Sequence, residues 1–226
     1  MHSERRRSLV VQDLGRLDWL RAYEIQQQAV TQRKDGAGQD ILFLVEHPHV
    51  VTMGRNGKES NLLASPEVLA RTGIAYYETN RGGDVTYHGP GQIVGYPIFD
   101  LRDWKRDVVA YVRAVEEVLI RVLASYGVAA DRQVGMTGVW TGGAKVAAIG
   151  IHISRWITSH GFALNHEPDL SYFRYIVPCG LNLPVTSMEA LGVRAARHEV
   201  QDRLAKCFAQ VFEFEDVRIE AAAGGQ

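Results

Sequence analysis

An α+β fold is what the patterning of this chain predicts. Apolar residues step by three and four over 108–122 and again over 200–211, the spacing of helices with one buried stripe. Between them, 137–165 is rich in β-branched and aromatic residues set behind glycine turns, which reads as strands. Helices and antiparallel-looking strands in separate blocks belong to that class.

Taken in order, Leu17, Leu20, Tyr23 and Val30 suggest an early helix, closed by the breaker "KDGAGQ" at 34–39. "ILFLVE" (41–46) reads as a buried strand and "VVTMG" (50–54) as another, and "GPGQIV" runs into a further strand. "RDWKR" (102–106) reads as a solvated helix start. Val108, Val112, Val115, Leu119 and Val122 then line one face of a strong helix that Gly127 ends. "VAAIGIHIS" and "WITSHGFALN" read as strands after "TGG" turns. "TSME" (186–189) offers a capping box. Val200, Leu204, Phe208 and Val211 mark a last helix, and "FEFEDVRI" closes as a strand. No linker or repeat interrupts the 226 residues, so one domain is expected, with a core over about 9–212. The charged first seven residues, Arg5–Arg7 included, and the "EAAAGGQ" end are expected to be flexible.

Composition excludes several classes. A net charge of -1 and a pI near 6.7 give no bulk charge for nucleic acid or membrane. No apolar run approaches the roughly 20 residues of a membrane span, and the basic start lacks the apolar stretch of an export signal. A soluble cytoplasmic protein with reduced thiols is expected, monomeric by default. The histidines, His47, His49, His152, His160 and His166 among them, show no metal-ligand spacing, and two cysteines are too few for a zinc knot. These histidines read as hydrogen-bonded polar residues.

The stretch "RGGDVTYHGPGQ" (81–92) packs four glycines around Arg81, Thr86, Tyr87, His88 and Gln92. It lacks the third glycine and the following helix of a dinucleotide fingerprint, and "GGAK" lacks the Gly-Lys-Ser/Thr of a P-loop. Glycine-rich segments also make plain turns. A pocket wall accounts for both the bare backbone, which a ligand can approach closely, and the polar side chains around it.

Two further residues are candidates for chemistry. Cys207 lies on the apolar stripe of the last helix and reads as a small buried hydrophobe. Cys179, in "YIVPCGL", sits between Pro178 and Gly180 in an irregular connection, where a structural role and a reactive one both stay open. Lys145, in "TGGAKVAAIG", enters an apolar strand; it is either an edge lysine that blocks aggregation or one partner of an ion pair. A thiolate would supply the countercharge. At ~4 Å and an effective dielectric of ~20, a unit charge is worth ~4 kcal/mol, enough to lower a thiol pKa by up to ~3 units.

"RGGDVTYHGPGQIVGYPIFDL", "TGGAKVAAIGIHI", "HGFALN" and "VPCGL", in that order, resemble the lipoyl(octanoyl) transferases, over about residues 9–212. The resemblance implies the mixed sheet flanked by helices of the biotin and lipoate ligase core. It implies transfer of octanoyl from acyl carrier protein to a lysine of lipoyl domains, on 2-oxo-acid dehydrogenases and the glycine-cleavage H protein, with neither ATP nor metal. The acyl-thioester cysteine falls on Cys179 and the lysine that tunes it on Lys145. Substrate contacts fall on Arg81, Gly82, Gly83, Asp84, Val85, Thr86, Tyr87 and His88, on Ala148, Ile149 and Gly150, and on Gly161, Phe162 and Ala163. An ATP-dependent ligase of the same fold, an amide-to-amide lipoyl transferase and a non-catalytic acyl- or lipoyl-domain-binding module are the alternatives.

Overall fold

The computed structural model describes residues 6–177 and 183–220, so the chain ends 1–5 and 221–226, and Cys179, lie outside the described residues. The chain runs β1 (Ser8–Arg16), α1 (Trp19–Lys34), β2 (Asp40–Glu46), β3 (Val50–Met53), α2 (Pro66–Arg71), β4 (Ala75–Glu78), β5 (Val85–His88) and β6 (Gln92–Ile98). It continues through α3 (Val108–Ala124), β7 (Asp131–Gln133), β8 (Met136–Thr141), β9 (Ala144–Ser154), β10 (Ile157–Asn165), α4 (Arg197–Phe212) and β11 (Asp216–Glu220).

Eight strands pair in the order β11-β1-β2-β6-β10-β9-β8-β7, and β4-β3-β5 form a small second sheet. β1 is parallel to both β11 and β2, whereas β2, β6, β10, β9 and β8 alternate antiparallel. The large sheet is therefore mixed and covered on both faces. Leu42 and Leu44 of β2 point into the core under α3 and α4; Phe43 and Val45 point into the core under α1. Burial on both faces is why "ILFLVE" is apolar without alternation. On α3 the stripe buries Val115, Val118, Leu119, Val122 and Leu123 completely, each contributing about 1.5–3 kcal/mol. Asp107 caps this helix by accepting the Ala110 N–H (3.0 Å).

Several expectations are corrected. The buried face of α1 is Trp19, Ala22, Gln26 and Val30, while Leu20 is exposed. "RDWKR" precedes α3: Leu101–Asp103 is a 3-10 turn, and Arg102 bonds Asp100. "TSME" begins no helix, because Gly192 (φ +87°) closes a turn in which Ser187 Oγ accepts from Ala190 N. α4 starts at Arg197, where Glu199 accepts the Ala196 N–H (2.7 Å). Arg7 is docked: it donates to Phe212 O and Asp40 Oδ2 and stacks on the Phe214 ring.

One defect in the ladder matters below. Pro97 has no N–H to donate from the next-to-last position of β6, and its carbonyl takes the Thr158 hydroxyl (2.7 Å). The His160 N–H, two residues along β10, is taken instead by Gln26 Oε1 of α1 (2.9 Å).

Candidate active site

The glycine-rich run divides into three pieces. Residues 81–84 are irregular, Val85–His88 is the strand β5, and Gly89–Gly91 turn the chain into β6. Alternation along β5 sends Val85 and Tyr87 into the small sheet's own core with Val51 and Met53, and leaves Thr86 and His88 toward the large sheet.

Arg81 is buried and folded back on β3. Its Nε and Nη2 donate to Thr52 Oγ1 (3.2 and 3.0 Å), and Nη2 also donates to Thr52 O (2.7 Å). Gly82 N–H donates to Ile151 O of β9 (2.7 Å), which docks the run on the strand carrying Gly150. A Cβ on Gly150 would lie 3.0 Å from Gly82 O, so the two backbones approach closely because both residues lack side chains. Asp84 is structural: it accepts Lys58 N–H, Val85 N–H and Asn61 Nδ2 and so ties 58–61 to the run.

Between this run, β6, β9 and β10 lies a cavity. Val94, Ala148, Ile149, Phe162 and Ala163 supply apolar wall; Arg81, His88 and His160 supply polar wall. Two further cavities adjoin it through shared residues. Thr86, Ala148 and Ala163 also face a second, smaller space, and Gly83, Asp84, Ile149 and Gly150 an open groove. Lys145 lines both of these. Of the fourteen residues singled out as substrate contacts, twelve line the first cavity, Gly82 the groove and Tyr87 the smaller space.

Lys145 is delivered by a tight hairpin. Gly142 (φ +55°) and Gly143 (φ +81°) form its two-residue turn, with Thr141 opposite Ala144. β9 lies between β8 and β10, so the edge-lysine account is corrected: this strand is interior. Lys145 is buried, and Nζ stands 4.7 Å over the ring of Trp140, its partner on β8, a cation–π arrangement. Its backbone is clasped by a strap of later residues, since Lys145 N–H donates to Pro184 O and Thr186 N–H donates to Lys145 O (both 2.9 Å). Cys179, the other half of the expected pair, lies outside the described residues. Cys207 is a free thiol buried in the core beside Phe208, where burial pushes its pKa up.

The histidines around the cavity are held neutral. Burial pushes His88 down to about 3, with His47 and Arg81 adding to it. His160 falls to about 3 by burial and then Arg81; His47 falls to about 4, chiefly by burial. His47 is satisfied by Leu17 O (2.7 Å) and Tyr96 OH (2.8 Å), His160 by Asn80 Oδ1 (2.6 Å), and His49 by Tyr87 OH (2.8 Å). His160 also lines the cavity from a left-handed backbone position (φ +55°), the kind of strain that collects at functional sites. Trp19, Val94, Tyr96 and His160 were missed as wall residues. Only "SHG", with a histidine ahead of a glycine that a strand does not need, carried any signal of this. Among the described residues no three His, Cys, Asp or Glu come together as metal ligands.

Residues 18–209 match the lipoyl protein ligase A/B catalytic domain. The chain is 61% identical over 209 residues to an octanoyltransferase of Solibacter usitatus, covering 92% of this chain and 95% of that one. It is 50% identical over 218 residues to an octanoyltransferase of Koribacter versatilis, covering 93% and 87%. In shape it is similar to the crystal structure of lipoate-protein ligase A bound with ATP, with a TM-score of 0.77 over 96% of this chain and 89% of that one. At 16% identity that likeness concerns the fold alone.

Proposed function

We propose, from the premise that the chain belongs to the lipoyl protein ligase A/B catalytic domain family, that it transfers octanoyl from acyl carrier protein to a lysine of lipoyl domains. Lipoyl domains of 2-oxo-acid dehydrogenases and the glycine-cleavage H protein are the acceptors in this reading, and the enzyme works as a cytoplasmic monomer. The observation that carries it is an apolar-walled cavity whose strand β9 also bears a buried lysine, three residues before the wall begins at Ala148. An eight-carbon chain buried there gains ~0.8 kcal/mol per methylene, which makes the walls a binding site for the acyl tail.

The Cys179 thiolate attacks the thioester carbonyl of the donor. The bond from that carbonyl to the pantetheine sulfur breaks, and Lys145 gives its proton to the departing thiolate. The neutral amine of the target lysine then attacks the Cys179 thioester; a C–N bond forms, the C–S bond breaks, and Lys145 recovers a proton from the new amide nitrogen. Support for pairing the two residues comes from the strap: Pro184, five positions after Cys179 in sequence, is bonded to the Lys145 backbone. The Gly82 N–H, already given to Ile151 O, leaves Gly83 or Gly180 as oxyanion donors. The thioester supplies the driving force, so neither ATP nor a metal enters.

Intact-protein mass spectrometry after incubation with octanoyl carrier tests this. A single octanoyl adduct is expected without ATP, absent in Cys179→Ala. An adduct that persists in that variant, or one that requires ATP, sinks the reading in favour of another nucleophile or a ligase. In Lys145→Ala the pH profile of Cys179 alkylation should move upward.

A further inference from the structure

A chain of side-chain amides joins the cavity wall to the strap beside Lys145, and its polarity is forced at both ends. Asn165 Nδ2 donates to Thr186 O (2.9 Å); a carbonyl only accepts, so Asn165 Oδ1 must face the other way. There it takes Gln92 Nε2 (3.0 Å), which also donates to Tyr87 O (3.3 Å). Gln92 Oε1 is therefore turned to His88 Nδ1 (3.2 Å), and Nδ1 must carry the hydrogen. Since the buried ring is neutral, Nε2 is left as an acceptor in a residue that lines the cavity. Gln92 and Asn165 stand directly opposite each other on β6 and β10 and are 1% and 5% exposed. Thr186, at the far end of the chain, donates its N–H to Lys145 O.

We infer that Gln92 and Asn165 are positioning residues for acyl transfer, fixing His88 as a hydrogen-bond acceptor on the cavity wall and pinning the 184–186 strap to the strand of Lys145. The inference rests on the acyl-transfer reading for its functional half; the tautomer stands on the hydrogen bonds alone. A pair that merely satisfied the core would affect stability and leave both the His88 tautomer and the turnover of folded enzyme untouched.

The test uses the full chain. In ¹⁵N spectra of the wild type at pH 7, His88 should show the Nδ1–H form, and it should keep that form down to pH 5. Asn165→Asp cannot donate to Thr186 O, and Gln92→Glu cannot donate to Tyr87 O or Asn165 Oδ1. Each should lower kcat about 100-fold in the folded protein, the scale of a misplacement near 1 Å, with KM for octanoyl carrier little changed. An Nε2–H form in the wild type overturns the inference even if neither variant folds, and so does wild-type kcat in folded Asn165→Asp. Absence of the Cys179 adduct in the wild type would instead remove the acyl-transfer reading while the tautomer result stood.

Discussion

Three buried histidines make the molecule acid-sensitive. His47, His88 and His160 are held near 4, 3 and 3, against an ordinary value of 6.5. The unfolded chain takes up protons at these positions below about pH 6.5, whereas the folded one does not. Their contribution to stability is complete above that pH and is lost as the pH falls toward the folded values, at about 1.4 kcal/mol per pH unit for each group. Denaturant unfolding followed from pH 7.5 to 5 should show this decline, and a flat profile would mean that these rings are protonated in the fold. Little of this was legible in the sequence, where the histidines read as ordinary polar residues. His47 meets Tyr96 across 49 positions, and no local pattern records such a meeting. Lys145 was legible, because a lysine in an apolar run behind two glycines is anomalous in itself; its seat over Trp140 was not.

At the scale of elements, β6 and β10 touch through glycine. A Cβ on Gly161 would lie 2.1 Å from Gly95 O and 2.6 Å from Pro97 Cδ, while one on Gly95 would run into the Phe162 ring at 2.2 Å. Backbone cannot yield as a flexible side chain does, so Gly161→Ala should cost about 2–3 kcal/mol and displace the cavity wall at Phe162. Chemical denaturation measures the first effect and octanoyl-carrier KM the second; a variant with wild-type stability would show that the strands separate freely. The helices divide by how local their signals are. α3 was plain because its whole stripe lies within seventeen residues. The face of α1 was misjudged because Gln26, a polar residue at a buried stripe position, answers to β10. β1 was not foreseen at all, since its partners β2 and β11 are parallel and one of them lies at the other end of the chain.

Across the whole molecule, the class was legible from blocks of differing periodicity, whereas the strand order was not, because pairing between distant segments leaves no mark on either one. Membership in the family rests on the match of residues 18–209 to the catalytic domain and on relatives 61% and 50% identical over most of the chain. The Pro97 carbonyl of β6, taken by the Thr158 hydroxyl, has a wider consequence. Because Gln26 of α1 supplies the acceptor that β6 does not, the His160 amide should report on attachment of that helix and not on opening of the sheet. In Gln26→Leu its hydrogen should exchange with solvent deuterium much faster, while the amides of Thr158 and Phe162 stay protected. Unchanged protection at His160 would show that the helix is a passive cover. If the exchange does quicken, the first helix is a working rung of the ladder, and anything that pries it loose will reach the acyl chamber through one hydrogen bond.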